Sequence, residues 1–153
     1  MLHIAQCYPG PFPAEANVRA RATQWMFGAL NTVEPPSLEL TIVRLLEGDM
    51  PWAVGRTPFS ADRHRGPLGQ LAHHIGNAGW LHGAFNTGDV MLVSVLLRFR
   101  AWRMLDDYAH PSTYFHRGQA RPAYRRAFAA QLAAFSPLRA AFTSLPRWMA
   151  STT

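Results

Sequence analysis

Three helix starts within residues 80–133 limit what this chain can fold into more than any other feature. At the first, Asn86 is a favoured N-cap residue and Asp89 stands three positions later, where its carboxylate can reach back to the cap backbone. Phe85 and Val90 occupy the N′ and N4 positions of a hydrophobic staple. Asp89 is therefore expected to be structural rather than a catalytic acid, since capping and the helix dipole account for it. Val90, Met91, Leu92, Val93, Val95, Leu96 and Leu97 then cover nearly the whole circumference, which predicts a helix surrounded by others. The other two starts, His110-Pro111 and Arg121-Pro122, put proline at the first helical position, where its missing N–H costs nothing. Tyr114 and Phe115 in one helix, and Tyr124, Phe128, Leu132 and Phe135 in the other, are predicted to pack inward, with Arg117, Arg125 and Arg126 pairing with Asp106 and Asp107.

The rest of the chain also reads as helices between loops, without strand alternation or internal repeats. A short helix over Leu2 to Cys7 ends at Pro9-Gly10-Pro11. From Ala14 a helix carries Val18, Ala22, Trp25, Ala29 and Val33 as an apolar stripe, with Arg21, Gln24, Gly28 and Asn31 as a second, polar stripe. Pro35 and Pro36 should kink or break it, after which Leu38, Ile42, Leu45 and Leu46 resume an apolar face that stops at Gly48. Residues 49–58 are predicted to be a loop with Trp52 as a packing anchor. A further helix is expected over 59–78, with a kink or a non-helical start at Gly66, Pro67 and Gly69, because glycine costs ~1 kcal/mol relative to alanine inside a helix. After Pro137 a last short helix is expected to run through Phe142.

Several function classes are disfavoured. The longest apolar run, Val90 to Leu97, is far shorter than the ~20 residues a bilayer requires and contains Ser94. The opening residues MLHIAQCYPG lack a basic segment and a long apolar core, which predicts a cytoplasmic protein. Cys7 is the only cysteine, so no internal disulfide can form, and it reads as a small apolar residue near a helix end. The net charge is +6, yet all 15 basic residues are arginines scattered along the chain, an arrangement unlike a nucleic-acid surface. His73 and His74 are neighbours and diverge by ~100° on a helix, while His64 and His82 are out of register with them, so no metal site is expected. No nucleophile–base pair or glycine-rich phosphate loop is found.

The mosaic of Trp80, Leu81, Gly83 and Phe85, then Asn86, Gly88 and Asp89, then Tyr108, Pro111, Tyr114 and Arg117, then Arg121, Pro122, Ala123, Tyr124, Arg126 and Ala127 resembles the C-terminal, all-helical domain of glutathione transferases. The resemblance covers about residues 14–135 and implies an all-α bundle of about five to seven helices. It implies that residues 1–13 are a remnant of a thioredoxin-like domain helix plus linker and that residues 14–153 are the helical domain. In that family the helical domain supplies one wall of the cleft for a small electrophilic substrate and much of the homodimer contact, while the thioredoxin-like domain holds the catalytic residue and activates glutathione. The chain alone is then expected to bind no cofactor and to be inactive, with glutathione as cosubstrate once the thioredoxin-like partner domain is supplied. The resemblance points to Arg21, Gln24 and Asn31 as substrate contacts, and to Trp148 in a tail that folds over the pocket in some relatives. Arg21, Gln24, Asn31 and Trp148 thus form the expected substrate-binding set, with Asn86 and Asp89 as structural caps. The alternative is a standalone helical module that binds a protein partner without catalysis.

Overall fold

The computed structural model describes residues 2–7 and 10–143, with residues 5–6 and 136–143 described by backbone alone. The described residues form eight α-helices and one π-helical turn: α1 (Leu2–Cys7), α2 (Ala16–Gly28), the π turn (Ala29–Val33), α3 (Glu34–Leu45), α4 (Ala53–Asp62), α5 (Arg65–Ile75), α6 (Thr87–Ala101), α7 (Ala109–Ala120) and α8 (Pro122–Thr143). The chain divides into two units, Met1–Gly118 and Gln119–Thr153.

In the first unit α6 is the centre. Leu92, Val93, Val95, Leu96 and Phe99 are buried around it, and α2 packs more extensively on α6 than any other helix does. Close approach is possible because Gly88 lacks a side chain: a Cβ there would lie 2.9 Å from Trp25 Cβ and 3.1 Å from the Ala22 carbonyl oxygen. Gly118 does the same for α7 against Val93. Tyr114 and Phe115 are fully buried, as their pattern predicts. At the far end of α6, Trp102 Nε1 donates to Thr41 Oγ1 of α3 at 2.8 Å.

Where a kink or break was expected at Pro35-Pro36, the helix runs on without a break and carries a π turn just before the prolines. Its hydrogen bond from the Glu34 N–H to the Ala29 carbonyl spans five residues, and the two prolines, which have no N–H to offer the carbonyls one turn back, follow it directly in the first turn of α3. Pro36, Ser37, Leu40 and Val43 form the buried face of α3, continuing the three- and four-residue spacing of Ala29 and Val33, while Leu38, Leu45 and Leu46, expected inside, are exposed.

Residues 49–78 also differ from expectation. The expected loop ends early, because α4 begins at Ala53 and carries Pro58 inside it, and a turn at Arg63 and His64 separates it from α5. Glu39 explains the local order: it pairs with Arg56 and Arg63 and accepts a hydrogen bond from buried Ser60, tying α4 to α3. Gly66, Pro67 and Gly69 lie within the first half of α5 rather than disrupting it. Trp52 is exposed and carries the Arg56 guanidinium over its ring, so it is not a buried anchor. Exposure of Cys7, 3.8 Å from His3 Nε2, likewise overrides the apolar reading of that residue.

α7 begins at Ala109, so Pro111 is its third residue and still within the first turn. Arg117 does not pair with Asp106 or Asp107. It donates to the carbonyls of Ala78 (3.2 Å) and Gly79 and lies over Trp80, while Asp106 pairs with Arg103 at 2.9 Å. In the second unit, α8 starts at Pro122 as expected and runs unbroken through Pro137. Tyr124 and Phe128 stack at 5.8 Å and are half-buried, whereas Leu132 and Phe135 are exposed.

Candidate ligand cleft

α2 is started by Glu15, an unusual N-cap whose carboxylate accepts from the N–H groups of Asn17 (2.8 Å) and Val18 (2.6 Å). Those two bonds hold its pKa below the ordinary glutamate value. Sequence alone did not single it out, because glutamate is not among the preferred cap residues.

Along α2, one face opens onto a cleft of about 320 Å³ against α5, lined by Gln24, Trp25, Gly28 and Thr32 on one side and by Gln70 and His74 among others on the other. An added Cβ at Gly28 meets nothing within 4 Å, so this position widens the cleft. The Trp25 and His74 rings close one end, their centroids 4.5 Å apart and tilted by 43°. The chemistry offered is two amides, an aromatic face and an imidazole around a floor containing Val33 and Leu71, suited to an uncharged molecule with a few hydrogen-bonding groups. A larger hollow of about 740 Å³ beside Phe12, Pro13 and Arg19 is more open and gathers fewer converging polar groups.

Of the residues expected to contact substrate, Gln24 lines the cleft, whereas Arg21 and Asn31 are exposed and absent from its lining. Thr32 takes the place expected for Asn31: it follows Gly28 by four residues, as Gly28 follows Gln24, and shares their helix face. Trp148 lies outside the described residues. Gln70, His74 and Thr32 were not singled out as contacts, since nothing in their own segments signals which helix they face.

Beside the cleft, His82 projects from the connection between α5 and α6, its ring centroid 6.1 Å from that of His74. The two histidines, out of register in sequence, are therefore brought together. His82 Nε2 is buried with no hydrogen-bond partner, and burial first, then Arg21 and His74, lowers its pKa below the usual histidine value while Asp89 opposes the shift. Among the described residues no group of three metal-ligating side chains converges.

The cap of α6 supports this whole corner. Asn86 Oδ1 accepts from the Gly88 N–H at 2.9 Å, and Asp89 Oδ2 accepts from the Asn86 N–H at 2.8 Å, completing the expected reciprocal box. Asp89 is fully buried and does more than cap: its Oδ1 also accepts from the Leu81 N–H at 3.0 Å and the Tyr114 hydroxyl at 2.6 Å.

No family model matches the chain, and no curated protein matches it significantly. Among solved structures, the fold is similar to that of a glutathione transferase from Pseudomonas putida, determined with one glutathione disulfide bound per subunit. The TM-score is 0.70 at 13% identity, over 82% of this chain and 57% of that one. The chain thus spans little more than half the length of that transferase, and its fold is the all-α bundle of the glutathione transferase C-terminal domain. No helix among the described residues is long and apolar enough to cross a membrane.

Proposed function

We propose that this chain is the helical part of a glutathione transferase-like protein and that the α2–α5 cleft receives a small, uncharged electrophile. The fold similarity over 82% of the chain carries the reading, and the cleft's paired amides and aromatic wall are consistent with it. The chain supplies binding and orientation only. Activation of the glutathione thiol belongs to a thioredoxin-like domain acting with it, because lowering a thiol pKa needs a dedicated donor or cation beside the sulfur. The cytoplasm is the compartment proposed, and a homodimer the assembly.

The test is binding and turnover of 1-chloro-2,4-dinitrobenzene. The 153-residue chain should quench its tryptophan fluorescence on binding the halide, Gln24→Ala with Gln70→Ala should weaken binding roughly tenfold for two lost hydrogen bonds, and glutathione-dependent turnover should stay at the buffer rate. Turnover by the chain alone would place catalysis here and overturn the division of labour.

A second reading, a partner-binding module without catalysis, is favoured by one observation. Leu45, Leu46, Met50, Trp52, Val54 and Phe59, all on the end of α3, its following turn and α4, are exposed. Absence of halide binding together with association through these residues would favour it.

A further inference from the structure

We propose that His82 is an acid-sensitive latch: uncharged, it lets the connection between α5 and α6 close against His74 and Arg21, and protonated, it loosens that connection and the Trp25–His74 wall behind it. The connection is anchored on both sides of His82, by Trp80 packed on Tyr114 and Phe85 and by buried Leu81. Gly76 and Gly83 bound it with positive φ of 46° and 78°, the Leu81 N–H bonds Asp89, and Arg117 holds the Ala78 and Gly79 carbonyls. Between these anchors His82 sits with Nε2 buried and unpartnered among the described groups.

A neutral imidazole tolerates that setting because one ring nitrogen can remain a bare acceptor, whereas imidazolium donates at both nitrogens and would bury an unmatched N–H. The groups around it sharpen the contrast. Arg21 from α2 and His74 from α5 oppose a second positive charge, and the one facing anion, Asp89 from α6, already accepts three hydrogen bonds from Leu81, Asn86 and Tyr114. A charged His82 would have to compete for a carboxylate that already holds three donors. Depression of the His82 pKa by burial agrees with this geometry.

The sign follows by linkage. A histidine held below its unfolded value contributes stability that is whole above about pH 6.5 and lost as pH falls through the folded value, because the unfolded chain takes up the proton first. Urea unfolding of the full chain between pH 7.5 and pH 5 should show the unfolding constant rising by up to roughly tenfold per pH unit in that window. His82→Gln, which cannot titrate, should flatten the profile. An unchanged pH dependence in H82Q would overturn the latch. Should H82Q not fold, the wild-type His82 ring titration followed by NMR decides: a midpoint below the usual histidine value of about 6.5 supports the proposal, and one at or above it overturns it. The effect on the cleft rests on the proposed ligand role, whereas the stability and titration readouts do not. Failure of the halide to bind at pH 7.5 therefore counts against the cleft, and an unchanged H82Q profile counts against the latch.

Discussion

The Tyr114 hydroxyl of α7 donates to Asp89 Oδ1 at 2.6 Å, joining two helix starts through a carboxylate that is fully buried. Asp89 thereby holds three donors from three places in the chain: the α5–α6 connection, the α6 cap and α7. Removing it strands all three. Asp89→Ala should cost about 3–5 kcal/mol, as loss of one partner from a buried charged network does, against about 0.5–2 kcal/mol for Asn86→Ala. Denaturant unfolding checks the ordering, and equal effects would reduce Asp89 to an ordinary cap.

The same contact predicts behaviour at high pH. Burial first, then the Asp89 charge and hydrogen bond, pushes the Tyr114 phenol far above the usual tyrosine value. Its contribution to stability is whole below the unfolded value near pH 10 and is lost as pH rises beyond it, because the unfolded phenol ionises first. In an alkaline absorbance titration, one of the four tyrosines should ionise only as the chain unfolds. Tyr114→Phe should abolish that lagging step; its persistence in the variant would assign it elsewhere.

Gly118 and Val93 make a crossing that tolerates no extra atom. A Cβ at Gly118 would overlap Val93 Cγ2 and lie 2.8 Å from Cγ1, and a β-branched side chain in the core cannot swing clear. Gly118→Ala is expected to destabilise by about 1–3 kcal/mol. Pairing it with Val93→Ala should cost less than the sum of the two single changes, since the smaller residue makes the room. Strict additivity in a thermal or urea cycle would sink the crossing argument.

Gly28 is the opposite case. It lies at the end of α2 with open space around an added Cβ, so Gly28→Ala should stabilise by up to about 1 kcal/mol through helix propensity. Gly28→Phe should leave the fold intact and block halide binding, because the side chain would project into the cleft. A Phe variant that folds and binds as tightly as the parent would remove Gly28 from the cleft.

Leu45 and Leu46 are 67% and 76% exposed at the end of α3, off the buried face of Leu40 and Val43. Large exposed apolar groups on neighbouring elements favour association. Light scattering of the wild-type chain should show concentration-dependent oligomers, and Leu45→Glu with Leu46→Glu should shift them toward monomer. A monodisperse monomer for both proteins would show that this surface has no self-partner.

The sequence by itself determined the helix class, the start of α6 and its central place. Those features depend on neighbours three or four residues apart: Asn86 with Asp89, Phe85 with Val90, and an apolar circumference over Val90–Leu97. Gln24, to which the family resemblance pointed, lines the cleft, but the opposite wall was not legible, because facing helices are chosen by packing rather than by local pattern. Only the tertiary structure decided the buried face of α3, the meeting of His74 with His82 and the extra donors on Asp89. A local pattern shows which residues share a face but not which face a neighbour will cover: packing on α4 and α6 buries Leu40 and Val43 and leaves Leu45 and Leu46 exposed, and the α2–α5 cleft takes Thr32 rather than Asn31.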